Sequence, residues 1–537
     1  MSNKRARIDD SQIEGKLQKD LFTVESLTRL EKAYKESKPY LHCKIDQLCD
    51  NDLLLRVRKE ILSSLHFTLK ETDIYKVNQT GDLANLDGLP ETELKQLSSL
   101  FELRNALYSQ DFRNFISHVT GCGPLSGSKM DMSINSYQTG CHLLNHDDVI
   151  GTRRVSYILY LTDPENPWKP EDGGALELYP VIKKGIPASE PTVTIPPQWN
   201  QFVMFTVQPG HSFHSVEEVI GTGNRLSISG WFHIPQEGEI GYKEPSNEGE
   251  AKSSLEQLQE DSSDNFTKYP VEEEEEETVG LTEDMLTELA EWINPHYLDL
   301  KMIHKLSETF LDESAVQCKK FLNETLLEKL ERITQQYDEE DKLATGKDGI
   351  APHGTGVREG WVVQGPPHRS RFMISTGKDE LFQYLATKFE SEAFRQWLNA
   401  IVQIMPVGYR GQIRRFRPGH DYTLATTNTR GQGVLDVTFC HVNKPEFWED
   451  GDIGGYECYM AAHDGEEDPA TYKAADEDGE LLSLAAGKNE LSIVLRDQGV
   501  MRFIKYVSAK APGSRWDAAY EYDLPENFEE EEEEEEE

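Results

Sequence analysis

The sequence predicts an α+β protein, mainly β, built as two copies of one β-rich fold with helices leading into each copy. Three observations point there. Short apolar runs punctuated by Gly, Pro and Asn fill residues 136–235 and return over residues 360–523. A helical period precedes each of these blocks. Between the halves lies a polar, acidic stretch, residues 237–280, almost without core residues.

In chain order, residues 1–25 are expected to be disordered. Residues 26–119 follow with a helical pattern, carried by "LLRVRKEILSSL" and "ETELKQLSSLFELRNALYSQDFRNFISHV". A strand-like "DIYKV" between these helices opens a polar loop over residues 74–88, of the kind that closes over a peptide substrate. The runs "RRVSYILYL", "ALELYPVI", "TVTIPP", "QFVMFTV" and "NRLSISGWF" are short, closely spaced strands, as in an antiparallel sandwich or barrel. Residues 26–236 form one domain on this reading, 237–280 a linker, 281–525 a second domain, and 526–537 a poly-Glu tail.

The repeat is visible in the residues. Residues 200–233 lie over 489–523 with a one-residue slip, and "PWKPEDGGALELY" (167–179) parallels "FWEDGDIGGYECYM" (447–460). On that alignment His214 falls opposite Phe503 and Asp148 opposite Tyr422, so the second copy lacks the polar set of the first.

Composition narrows the function classes. The formal net charge is −41, and the Glu runs at 272–277 and 529–537 supply fifteen of those charges. The remainder still repels phosphate backbones and suits a basic polypeptide partner, so no direct nucleic-acid contact is expected. Seven scattered cysteines without a CxxC pair argue for a reducing compartment and against a structural zinc site. No apolar run reaches membrane-spanning length, and the N-terminus lacks the apolar core of a signal peptide. The expected location is intracellular, and "KRAR" at 4–7 reads either as a short nuclear signal or as a basic tip.

The chemistry is carried by "LLNHDDVIGTRRVSYILYLTD" (143–163) and "PGHSFHSVEEV" (209–219). His146, Asp148 and the distal His214 make two imidazoles and one carboxylate, the facial set that holds non-heme Fe(II) and leaves positions open. His211 is the alternative third ligand. His142 and His233 read as loop or core residues, and Asp147 as an acid facing solvent or standing behind the ligands. Eleven residues after His214 comes Arg225. Alternation places it with Ser227 and Ser229 on one strand face and Leu226, Ile228 and Phe232 on the other. An arginine inside a barrel is costly without an anion, and a dicarboxylate cosubstrate supplies one. Tyr160, Tyr137 and Ser227 are placed to add hydroxyls to the same carboxylate.

At these residues the chain resembles the 2-oxoglutarate- and Fe(II)-dependent oxygenases, specifically the eukaryotic ribosomal prolyl hydroxylases with their fungal prolyl 3,4-dihydroxylases. The resemblance implies two tandem double-stranded β-helix (jelly-roll) domains, the second without iron. It implies Fe(II) on His146, Asp148 and His214, and 2-oxoglutarate on Arg225 and Tyr160, with Tyr137 and Ser227 in support and ascorbate assisting. It further implies prolyl 3-hydroxylation, or 3,4-dihydroxylation, of a small-subunit decoding-centre ribosomal protein. Roles in translation termination and oxygen-responsive regulation, and presence in nucleus and cytoplasm, belong to the same expectation. The alternative is a scaffold that sequesters a transcription or translation factor. Nucleic-acid demethylases of the superfamily resemble this triad but carry a second arginine six residues after the first, where this chain has Trp231.

Overall fold

The computed structural model describes residues 13–83, 95–243, 253–258, 266–270, 280–343, 349–427, 433–460 and 480–525. The "KRAR" tip, the end of the 74–88 loop, both Glu runs and the 526–537 tail lie outside them. The chain divides into two compact units. One runs up to Gln257 and takes in Pro366–His368; the other holds the remainder from Leu258 on. Both are mostly β, with curled antiparallel sheets flanked by helices. Among the described residues no helix is long and apolar enough to cross a membrane.

The strands of the first unit are β1 (His42–Ile45), β2 (Thr68–Glu71), β3 (Tyr75–Gln79), β4 (Met130–Tyr137), β5 (His142–His146), β6 (Arg153–Tyr160), β7 (Leu176–Leu178), β8 (Val181–Lys183), β9 (Ile186–Pro187), β10 (Val193–Ile195), β11 (Phe202–Thr206), β12 (His214–Val216) and β13 (Arg225–His233). They pair in the order β1-β11-β6-β13-β4-β3-β5-β12-β7-β10, with β2 on β3, and β8 and β9 form a separate hairpin.

Alternation along these strands makes two cores. Val155, Tyr157 and Leu159 of β6, Phe202 and Met204 of β11, and Leu226, Ile228 and Phe232 of β13 face the helices. Tyr160, Val203, Phe205 and Val216 line the inside of the curl with Tyr137. The helix Gln110–Thr120 shows how the outer layer is built. Ser109 caps it by accepting from Phe112 N, Gly121 ends it at φ +68°, and Phe112, Phe115, Ile116 and Val119 recur on one buried face. Each large apolar side chain buried so completely contributes about 1.5–3 kcal/mol. A charge at Ile116 or Ile228 would therefore split the helix layer from the sheet.

Two sequence expectations need correction. Residues 13–25 are not disordered throughout: Leu17 and Leu21 are buried in the helix-side core, and Lys19–Phe22 forms a turn of 3-10 helix. Ile13, Leu17 and Leu21 recur every four residues, a helical spacing hidden among charged neighbours. Nor is 237–280 free of core residues. Ser254–Leu258 is helical, Thr267–Lys268 pairs with Gly408–Tyr409, and Leu258 and Tyr269 are buried. Short ordered pieces inside an acidic stretch leave no periodic signal.

The second unit carries β14 (Thr267–Lys268), β15 (Ala315–Lys319), β16 (Trp361–Gln364), β17 (Ser370–Ser375), β18 (Gly408–Phe416), β19 (Tyr422–Thr423), β20 (Thr426–Thr427), β21 (Val434–Val442), β22 (Tyr456–Met460), β23 (Glu480–Leu484), β24 (Glu490–Arg496), β25 (Val500–Ile504) and β26 (Arg515–Asp523). One sheet runs β15-β24-β21-β26-β18-β17-β16, with β14 on β18 and β19 on β17; another runs β20-β25-β22-β23.

One joint occurs in both units. Asn200 precedes β11 at φ +61°, and its buried amide accepts from Cys49 N (2.8 Å) and donates to Cys49 O (2.9 Å). Asn489 precedes β24 at φ +59° and makes the same pair of bonds to Leu322 N (2.8 Å) and O (3.2 Å). Asparagine suits both requirements, since it tolerates the left-handed region and carries donor and acceptor together.

Candidate active site

His146 closes β5, His214 opens β12, and the two residues are register partners on adjacent strands. Asp148 follows β5 by two residues at φ +61°, a conformation that turns its carboxylate back toward the imidazoles. His146 Nε2 lies 3.3 Å from Asp148 Oδ1 and His214 Nε2 lies 3.5 Å from Asp148 Oδ2. Ligand atoms of the three fall within 4.8 Å of one another, the one such cluster of His, Cys and acids among the described residues.

Both rings are aimed the same way. His146 Nδ1 bonds to Leu144 O (2.8 Å) and His214 Nδ1 to Ser212 O (2.9 Å), each a carbonyl two residues back. With Nδ1 donating, Nε2 is the free lone pair, as metal ligation requires. Burial, and then the neighbouring His146, lower His214 to about 4, so it is a neutral ligand at neutral pH. Burial pushes the Asp148 carboxyl up, but His214, His146 and Arg153 outweigh it and hold the group well below the usual carboxylate range. For His146, burial is outweighed by Asp148, and the ring is shifted upward. Two imidazoles and an ionised carboxylate suit Fe(II).

Arg225 is the first residue of β13 and is 1% exposed. Its Nε donates to Gly174 O (2.5 Å) and its Nη2 to the Tyr160 hydroxyl (3.4 Å), and its guanidinium stands 4.7 Å and 5.0 Å from the Tyr137 and Tyr160 ring centres. Among the described residues no carboxylate forms an ion pair with it, although the half-buried Glu217 carboxyl lies near enough to feel its charge. Gly174 permits the approach: its φ is +71°, and a Cβ there would lie 2.9 Å from Arg225 Cδ. Burial pushes the Tyr137 hydroxyl up to about 12 and also raises Tyr160, so both remain donors. Ser227 is buried on the face of Arg225, with Tyr160 and Asn135 as its cross-strand partners. A buried cation ringed by hydroxyls and without a direct ion-pair partner among the described residues fits the far carboxylate of a dicarboxylate.

The remaining histidines fall away from the cluster. His142 bonds to Gly140 O, His233 sits between Asp131 and Thr152, and His211 is outside the triad. One contributor was not visible in the sequence, and of the two readings of Asp147 only the one that stands it behind the ligands survives. Trp231 Nε1 donates to Asp148 Oδ2 (3.1 Å), with the Arg153 guanidinium stacked 3.6 Å above its ring. Asp147 does not face solvent: it is 1% exposed and is held by Ser254 and Val149. The tryptophan lies 83 residues from its acceptor, and no local pattern marks that pairing.

Comparison with known proteins agrees with this geometry. Residues 132–233 match the 2OG-Fe(II) oxygenase superfamily, and residues 284–532 match the oxoglutarate and iron-dependent oxygenase degradation C-term family. The chain is 36% identical over 500 residues to prolyl 3,4-dihydroxylase OGFOD1 of Ostreococcus tauri, covering 90% of this chain and 95% of that one. It is 29% identical to prolyl 3-hydroxylase OGFOD1 of Mus musculus (90% and 89%) and 28% identical to that of Xenopus laevis (91% and 88%).

Proposed function

The chain belongs to the prolyl hydroxylase family of 2-oxoglutarate- and Fe(II)-dependent oxygenases, and from that premise we propose that it hydroxylates a proline of a small-subunit ribosomal protein at C3. A second hydroxylation at C4 follows the name of the Ostreococcus relative. Fe(II) and 2-oxoglutarate are the cofactors of the family, and together they supply the dioxygen chemistry that oxidises an unactivated C–H bond. His146, Asp148 and His214 would hold the iron. Arg225 would bind the far carboxylate of 2-oxoglutarate, with Tyr160 donating beside it and Tyr137 and Ser227 closing the wall. Trp231 donates to Asp148 Oδ2 and so helps to orient that carboxylate. The apolar lining of Val203, Phe205 and Val216 keeps bulk water from the site.

The observation that carries this reading is the unpaired, buried Arg225 beside a ready-made triad. A scaffold has no use for either. The net charge of −41 favours a basic substrate segment, as ribosomal proteins offer. Ascorbate would keep the iron reduced, and a ribosomal substrate places the protein in cytoplasm and nucleus. Mass spectrometry of ribosomal proteins incubated with the chain, Fe(II), ascorbate and 2-oxoglutarate should find one or two oxygen atoms added to a proline. Succinate release without any modified proline would refute the substrate.

We read the second unit as a copy of the first without a metal site. The shared order β11-β6-β13-β4 and β24-β21-β26-β18 supports this, as do the paired Asn200 and Asn489 joints. So does Gly454, which is packed on Arg515 and Val507 as Gly174 is on Arg225 and Val219. Strand register then sets Arg502, rather than Phe503, opposite His214, since Val216 faces Leu176 and Ile504 faces Tyr456. The slip arises because Arg502 follows Asn489 by 13 positions whereas His214 follows Asn200 by 14; beyond it, Arg515 follows Val507 by eight positions whereas Arg225 follows Val219 by six. Thr426, the partner of Arg502, corresponds to His146, and the counterpart of Asp148 is residue 428, outside the described residues. Tyr422 pairs with Arg371 instead.

A further inference from the structure

Asp147 stands between two of the triad residues in sequence, yet its side chain points away from them and is almost fully buried. Its carboxylate accepts from Ser254 N (3.3 Å and 3.2 Å to the two oxygens) and from Ser254 Oγ (3.0 Å), and also from Val149 N (3.3 Å). Ser254 lies 107 residues downstream, at the start of the short helix Ser254–Leu258 inside the acidic stretch. Ser253 and Ser254 are both buried.

The backbone of Asp147 is tied as well. Ser212 Oγ donates to Asp147 O (2.9 Å), and Ser212 O in turn accepts from His214 Nδ1 (2.9 Å). A continuous relay therefore runs from the Ser254 hydroxyl through Asp147 and Ser212 to the ring of His214. On its other side Asp147 is joined by one peptide bond to Asp148, which holds φ +61° without being glycine. Such a conformation costs roughly 1–3 kcal/mol and persists only where surrounding contacts enforce it. The bonds to Asp147 from Ser254, Val149 and Ser212 are contacts that enforce it.

We propose that Ser254 and Asp147 are positioning residues for the metal, and that the 253–257 segment is a strap that completes the iron site. The inference rests on the assignment of iron to His146, Asp148 and His214. Without the strap, Asp147 loses three of its bonds. Asp148 is then free to leave the left-handed region, and the anchor on Ser212 and His214 slackens. The site binds metal less tightly, while the Arg225 pocket on the other strands is unaltered. A catalytic fragment ending at residue 236 would lack the strap, and one ending after Leu258 would retain it.

The test uses the full chain and Mn(II), with free metal followed by electron paramagnetic resonance. Ser254→Ala should raise the Mn(II) Kd about 10–100-fold, the usual consequence of losing a group that holds a ligand in place. Its KM for 2-oxoglutarate at saturating metal should match that of the wild type, and Ser254→Thr, which keeps a hydroxyl, should restore tight binding. A general loss of folding would instead lower Mn(II) and 2-oxoglutarate binding together and would not be rescued by threonine; that outcome overturns the proposal. So does an unchanged Kd in Ser254→Ala. If the wild type itself binds no Mn(II) at one per chain, the iron assignment falls, and the strap with it.

Discussion

The interiors of the two units solve the same electrostatic problem in opposite ways. In the first, Arg225 enters the curl of the sheet with Tyr137 and Tyr160 around it and forms no ion pair with the described residues. The nearby Glu217 carboxyl is instead pushed up to about 7, by burial first and then by Glu177. In the second, Arg515 heads β26 just as Arg225 heads β13, and its guanidinium stands 5.1 Å from the Phe416 ring centre, where the first unit has Tyr137. Here Asp517 occupies the place of Ser227 and pairs with both Arg515 and Arg414 (Nε to Oδ1, 2.7 Å). Arg502 is bound to Asp436 and Glu521 (2.7 Å each), and these acids also hold Arg496. A buried charge needs a partner. The second unit carries its own carboxylates for these arginines. On the function proposed above, Arg225 and the triad of the first unit await cosubstrate and metal, and that gap is what makes it a site.

The comparison can be broken at several points. The largest effect is expected for Asp148→Ala or His214→Ala, which should abolish turnover and metal retention in atomic-absorption analysis; retained iron would remove the triad from the account. Arg225→Ala should raise the KM for 2-oxoglutarate about 100-fold or more, since an ion left unpaired costs about 2–5 kcal/mol. Glu521→Gln, which weakens contacts to Arg410, Arg496 and Arg502, should destabilise the second unit by about 3–5 kcal/mol in denaturant unfolding. Its Mn(II) affinity should stay unchanged.

The same acid gives a pH signature. Burial pushes Glu521 up, but Arg502, Arg496 and Arg410 outweigh it, and its carboxyl is held below the ordinary value of 4.5. The unfolded chain therefore takes up the proton first as pH falls. Stability from this group is full above 4.5 and is lost as pH drops below it. Melting temperature measured from pH 6 down to 3 should decline less in Glu521→Gln than in the wild type. The smallest effects lie at the tyrosines. Tyr160→Phe should raise the KM for 2-oxoglutarate several-fold, for one hydrogen bond worth about 1 kcal/mol, and Tyr137→Phe should do less.

The triad and Arg225 could be read in the sequence because the i, i+2 spacing of His146 and Asp148, the distal His214 and the alternation along β13 are local signals; that Asp148 turns in through φ +61° beyond the end of β5 was not. The two-sided division of β6 and β13 was readable from the same alternation. Residues whose roles depend on distant partners were not. Trp231 meets Asp148 and Ser254 meets Asp147 across 83 and 107 residues, without periodicity to announce either. Order in residues 13–25 and 254–258 comes from a few apolar side chains finding a core that other segments build. The alignment of the halves slipped because the second is one residue shorter between Asn489 and Arg502 than the first between Asn200 and His214, a difference that strand register brings out and periodicity does not.

The central claim is that one interior holds an unpaired arginine and the other a paired one. Titration of 2-oxoglutarate into the Mn(II)-loaded full chain measures this directly. One equivalent should bind, and binding should vanish in Arg225→Ala. Two equivalents, or one that survives Arg225→Ala, would contradict the account.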